Sequence, residues 1–176
     1  MLQKILKVVV LFAFILVMKA GAQSGSPSPI TIDPAIRIVQ PITLEKVAGK
    51  DLHFGKFAAY ISTVGSVTIT PSGTRTRSGE INLLDGGVSY GAAQFTVNGL
   101  EGALFSLDLP LTTTVTNETY ITDVMQVSEY TTDLAEPYTI GTGGVTTFNV
   151  GATLTKGEGD RRGTYSGSFS LTVNYL

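Results

Sequence analysis

The chain has 176 residues, with 12 Lys and Arg against 14 Asp and Glu, one His, no Cys and no Trp. Without cysteine there is no disulfide framework, no lipidated N-terminal cysteine, no thiol catalysis and no cysteine-based metal site. The mildly acidic balance argues against a nucleic-acid partner, and the length suits one domain with a sizeable core.

The first element is a leader. Lys4 and Lys7 precede the unbroken apolar run VVVLFAFILVM over residues 8–18, and Ala20-Gly21-Ala22 follows as a small-x-small site. This is the pattern of a secretory signal cleaved after Ala22. The alternative is a membrane anchor, but eleven helical residues reach only ~16 Å against a ~30 Å hydrocarbon core. Loss of Lys4, Lys7 and Lys19 moves the net charge from −2 to −5. No later run is long enough to span a bilayer as a helix, so no transmembrane span is expected after cleavage. The expected organisation is a signal over 1–22, a Pro-broken lead-in over 23–29 and a single domain over 30–176. The expected location is the periplasm, the cell surface or the exterior.

Beyond the leader the chain reads as strands and turns. Residues 23–176 carry 24 Thr and 19 Gly, a β composition punctuated by turns. Ile30, Ile32, Ile36, Ile38, Ile42 and Leu44 alternate, with Pro34 and Pro41 between them. Proline is tolerated on sheet edges rather than in central strands, so 30–45 is expected to give one or two edge strands. Short strands are expected at 52–57 (LHFGKF) and 66–70 (SVTIT), followed by a turn-rich loop over 71–79 (PSGTRTRSG). Further strands are expected at 80–84, 92–99, 103–110, 111–117, 119–130 and 145–154, with loops at 137–144 and 156–163. About eight to ten short strands separated by frequent turns predict an all-β fold, an immunoglobulin-like Greek-key β-sandwich.

The last stretch, GTYSGSFSLTVNYL, alternates almost to the final residue. Tyr165, Phe169, Leu171, Val173 and Tyr175 share one parity, and Ser, Thr and Asn take the other. That is the pattern of a half-buried strand. A membrane-barrel terminal strand would look similar, but the upstream strands are shorter than the ~9–11 residues a bilayer requires.

LHFG (52–55), VTITPSG (67–73), AAQFTVNG (92–99), LDLP (107–110), Met125-Gln126-Val127, FNVGATL (148–154) and GTYSGSFSLTVNY (163–175) together resemble the secreted bacterial family catalogued as domain of unknown function 4402. The general layout is similar to pilin-like domains of chaperone–usher systems, especially the spore-coat-U type, without their cysteines. The resemblance implies a sandwich lacking one strand, its gap beside the C-terminal strand and filled by an extended segment of a chaperone or another subunit. Tyr165, Phe169, Leu171, Val173 and Tyr175 would line that groove. Ile30, Ile32, Ile36 and Ile38 have the spacing of a donor segment, and equally that of this domain's own first strand.

Nothing in the sequence assembles a catalytic or cofactor site, and neither enzyme activity nor a cofactor is expected. His53 lies between Leu52 and Phe54, which puts it on the solvent side if those two point inward. Asp108, Asp123 and Glu129 are spread along the chain, without the aromatic-lined cleft of a glycosidase. Glu158 and Asp160 share a loop with Lys156, Arg161 and Arg162, which repel a cation. Gly141 to Gly144 precede no helix that would cradle a phosphate. Asn117-Glu118-Thr119 is a glycosylation sequon, of little meaning if the chain is bacterial as the resemblance implies. The expected role is a non-catalytic exported structural protein, pilin-like and working by strand addition to itself or a chaperone. The alternative is a monomeric binding module recognising glycan or protein through its loops, with Arg75 and Arg77 of loop 71–79 as the first candidates.

Overall fold

The computed structural model describes residues 36–176, and the expected signal, the lead-in, Ile30 and Ile32 lie outside them. All the strands of the described residues lie in the compact unit Ile38–Leu176. Among the described residues there is no α-helix, and no helix is long and apolar enough to cross a membrane. The fold is all-β, antiparallel and sandwich-like, and it is compatible with an immunoglobulin-like Greek key.

The described residues form fourteen strands in chain order. They are β1 (Thr43–Lys46), β2 (His53–Phe54), β3 (Lys56–Ala58), β4 (Gly65–Ile69), β5 (Arg75–Gly79), β6 (Asn82–Leu84) and β7 (Tyr90–Gly91). Then come β8 (Ala93–Asn98), β9 (Phe105–Asp108), β10 (Thr112–Asn117), β11 (Val124–Thr132), β12 (Val145–Lys156), β13 (Tyr165–Ser166) and β14 (Thr172–Tyr175). The large sheet runs β1-β8-β12-β11-β10-β13, with β4 also on β12 and β5 on β4. Three small pairs complete the fold: β14 with β9, β2 with β7, and β3 with β6.

Strand β12 organises the large sheet. Its first half pairs with β8 as far as Val150↔Ala93, and its second half pairs with β4 from Ala152↔Ile69 onward. Both partners lie on one flank, and β11 lies on the other. Gly151 sits at the changeover, where a Cβ would meet the backbone of Ile69, Thr70 and Pro71. Only a glycine lets β4 end and the chain turn away there.

Alternation decides what is buried. Ala93, Phe95 and Val97 of β8 point inward with Phe148 and Val150 of β12, and with Phe105 of β9 and Ile140 they form the larger core. Burying an aromatic or branched side chain of this kind contributes about 1.5–3 kcal/mol each. Phe95 stacks on Phe148 at 5.7 Å between ring centroids and meets Phe169 edge-on at 6.1 Å. The second core spans two neighbouring rows across strands: Val115 faces Met125 in one, and Val127 faces Leu154, which faces Val67, in the other. Leu52, Phe54, Phe57 and Tyr165 cover it.

Four expectations are corrected. The 71–79 segment is not a loop: Thr70 and Thr74 close a tight turn, and Arg75–Gly79 pairs residue for residue with β4. Arg75 is not a free surface cation, since its side chain is 4% exposed. Its guanidinium donates to the carbonyls of Phe54, Lys56 and Leu84 at 3.4, 3.4 and 3.1 Å and lies 4.1 Å over the Tyr90 ring. The terminal run is also not one continuous strand. Tyr165–Ser166 pairs with β10 in the large sheet, and Thr172–Tyr175 pairs with β9 in the small one. Residues 167–171 cross between the two, with Gly167 too close to the Thr114 carbonyl to carry a side chain. Likewise 52–57 breaks into β2 and β3 at Gly55, whose φ is +72°.

Candidate functional site: the open flank of the terminal strand

Among the described residues, strand β14 has one partner. Its register with β9 is Thr172↔Asp108, Val173↔Leu107, Asn174↔Ser106 and Tyr175↔Phe105, and the Leu176 N–H donates to the Leu104 carbonyl at 3.2 Å. In an antiparallel ladder the backbone groups of alternate residues point to opposite flanks. Leu176, Asn174 and Thr172 therefore turn their N–H and C=O groups to β9. Val173 and Tyr175 turn theirs to the other flank, where no strand pairs with them among the described residues.

The side chains on this strand follow the expected parity. Phe169, Leu171, Val173 and Tyr175 are half-buried against the larger core, while Ser168, Ser170, Thr172, Asn174 and Leu176 are exposed. Phe169 packs between Phe95 and Tyr130, at 6.1 and 5.1 Å between ring centroids. Desolvation by burial raises the Tyr130 pKa, against a smaller opposing effect of the hydrogen bond with Thr113, whose hydroxyl lies 2.5 Å away.

Tyr165 stands apart from these four. It packs on the second core, and its hydroxyl proton is shared between Asp123 at 2.8 Å and the Arg161 carbonyl at 2.7 Å. Desolvation by burial raises its pKa. Of the candidate donor residues, Ile36 and Ile38 are about 90% exposed and lie in no strand.

The sequence did not signal what borders the open flank. Strand β1 is the edge of the large sheet and approaches β14. The Val47 N–H donates to Gln94, so the backbone groups of Thr43 and Glu45 face β8 and those of Leu44 and Lys46 face away. Ile42 and Leu44 pack on the same core as Leu171 and Val173. The Tyr175 hydroxyl closes one end, accepting the Leu100 N–H at 2.7 Å and donating to the Gln40 carbonyl at 2.9 Å. The alternation of Ile42 and Leu44 was visible, but pairing partners are set by long-range topology that period alone does not carry.

The remaining polar candidates have structural roles. His53 is exposed between inward-pointing Leu52 and Phe54. Asn117 is fully buried, and its side-chain oxygen accepts the N–H groups of Thr119 and Tyr120, so the sequon asparagine is committed to a turn. Asp160 accepts the Gly157 N–H at 2.6 Å within its own loop. No group of three or more metal-ligating side chains occurs among the described residues.

These features define a class: an all-β, sandwich-like domain whose last strand is paired on one side only among the described residues. The family model described as Domain of unknown function (DUF4402) matches residues 42–175. The chain belongs to that family. No curated protein and no solved structure matches it.

Proposed function

We propose that this protein is an exported, non-catalytic structural subunit that associates by β-strand addition, in the manner of pilin-like domains. The observation that carries this reading is the open flank of β14. A row of unpaired backbone groups above half-buried apolar side chains is a template for an incoming strand. Main-chain hydrogen bonds would supply affinity, and side chains two apart would fix the register.

The occupant is the segment containing Ile30, Ile32, Ile36 and Ile38 of a second copy. Its apolar residues recur at even spacing, the spacing a strand needs to place side chains on one face. The exposure of Ile36 and Ile38 supports this, because an isoleucine left in water forgoes about 1.5–3 kcal/mol of burial. Immunoglobulin-like topology, export through the leader and a cell-surface destination belong to the same reading.

The test is a peptide covering residues 29–40 added to protein lacking residues 23–40. The expected result is a higher melting temperature and slower amide exchange at Val173 and Tyr175. Unchanged melting, together with Val173 already protected in the truncated protein, defeats the proposal.

A further inference from the structure

The outward face of the large sheet carries an ordered array of neutral polar side chains. Registers place Thr114, Gln126, Thr155, Ser66 and Ser78 in one row across β10, β11, β12, β4 and β5. The next row is Thr112, Ser128, Thr153, Thr68 and Thr76. Nine hydroxyls and one amide occupy ten positions, and none is charged. Neighbours along a row are ~4.8 Å apart, and the two rows are separated by about two residues of rise, ~7 Å.

Over part of this array lies an open groove of about 390 Å³, lined by Ser66, Ser78, Ser128, Glu129, Thr153 and Thr155 among others. Thr153 is bonded to Thr68, hydroxyl to hydroxyl at 2.9 Å. The hydroxyls of Ser66, Ser78, Ser128 and Thr155 have no protein partner among the described residues, and they face the groove.

Threonine suits strands on any sheet, so propensity accounts for part of this composition. It does not account for Glu129. This residue has φ +53°, and it is the one non-glycine with positive φ among the described residues. It sits where the β11–β12 register slips between Ser128 and Thr131. A bulge re-aims side chains and stores strain, and here it sets Glu129 at the wall of a hydroxyl-lined groove.

We infer that this groove binds a neutral carbohydrate, with Glu129 accepting hydrogen bonds from sugar hydroxyls and the serine and threonine hydroxyls completing the polar contacts. A carboxylate is an acceptor only, and hydroxyls both donate and accept, which matches a vicinal diol. The lack of other charge on the face disfavours anionic ligands beside Glu129. No aromatic ring lines the groove, so each site is weak, and useful binding comes from many copies presented together. The face lies opposite the core, away from β14, so it stays available whether or not strand addition occurs.

The experiment is titration of the purified protein with methyl α-mannoside, methyl α-glucoside, methyl β-galactoside and cellobiose, followed by backbone amide NMR shifts. A sulfated disaccharide serves as the anionic comparison. At least one neutral sugar at about 10 mM should move the Ser66, Ser128 and Thr155 amides saturably, and the sulfated one should not. Glu129→Gly is the decisive variant. Glycine relieves the positive φ, so the melting temperature should hold or rise, while sugar affinity falls about tenfold or more. Absence of shifts with every neutral sugar overturns the inference. So does sugar binding that Glu129→Gly leaves unchanged.

Discussion

Arg75 offers the sharpest test of how the small strands are held. Its guanidinium is nearly out of water, and it joins β2, β3 and the end of β6 by donating to three carbonyls, with Tyr90 of β7 beneath it. The 3.1 Å bond to Leu84 is a well-formed bond to a charged donor, about 1.5–3 kcal/mol, and the two at 3.4 Å are weaker. The ring contact adds about 1–2 kcal/mol when desolvated. The ion pair with Asp85 contributes little, because Asp85 is 92% exposed. Arg75→Leu keeps an apolar stem but leaves the carbonyls without their donor, and should destabilise the fold by about 3–4 kcal/mol. Urea unfolding would read this as a midpoint lowered by about 1–2 M. Arg75→Lys should recover only part of the loss, because a point charge cannot serve three carbonyls in a fixed fork. A loss below about 1 kcal/mol for Arg75→Leu would refute the idea that this side chain binds the small strands to β5.

Two further outcomes follow from the loop around residues 156–165. Lys156 is 4% exposed and donates to the carbonyls of Ile61, Thr63 and Gly157 at 3.3, 2.8 and 2.8 Å; Lys156→Met should cost about 2–4 kcal/mol in urea unfolding, since the carbonyls lose a charged donor. Asp123 is held below its ordinary carboxylate range chiefly by the Arg161 N–H at 2.8 Å, with the Tyr165 hydroxyl adding to it. Its folded-state pKa therefore lies below an unfolded value near ~3.9, so its stabilisation is complete above that value and is lost as pH falls through the depressed one. Exchange at the Arg161 amide should accelerate over that acid range, and Asp123→Asn should abolish the dependence.

The parity of the terminal residues was legible because burial on one face imposes it: Phe169, Leu171, Val173 and Tyr175 all point to the core. The strands at 92–99 and 145–154 were legible for the same reason. What the sequence hid was partnership. Arg75-Thr76-Arg77-Ser78 lacks any apolar residue, so it reads as a loop. Its strand character comes from pairing with Val67 and Ile69 across the turn. The alternation of charged and hydroxyl side chains was a usable signal, since period two holds whether or not the inward residue is apolar. The split of the terminal run was equally hidden, because alternation continues through residues that change sheets. Glu129 left no trace at all: a bulge is set by the misfit of two strands, not by the residue that absorbs it.

The sheet has several edges, and their chemistry separates one from the others. At β5 the edge carries exposed Arg77 and ends on Gly79 at φ +73°. Strand β1 follows Pro41 and presents Glu45 and Lys46, and β13 is two residues long. Charge, proline and shortness are the devices that stop edges from recruiting strands. From Thr164 to Leu176 there is no charged side chain and no proline, so the flank of β14 lacks those blocks. Val173→Pro exploits this. The Val173 N–H points away from β9, so proline there removes no ladder bond, and the free subunit should fold with a loss of about 1–2 kcal/mol from the smaller packed surface. Asn174→Pro removes a bond to β9 and should cost about 3 kcal/mol or more. If β14 recruits a strand, Val173→Pro should abolish the melting-temperature gain from the 29–40 peptide while its own unfolding stays cooperative. An undiminished gain in that variant would mean that the peptide binds elsewhere and that this flank is not where subunits join.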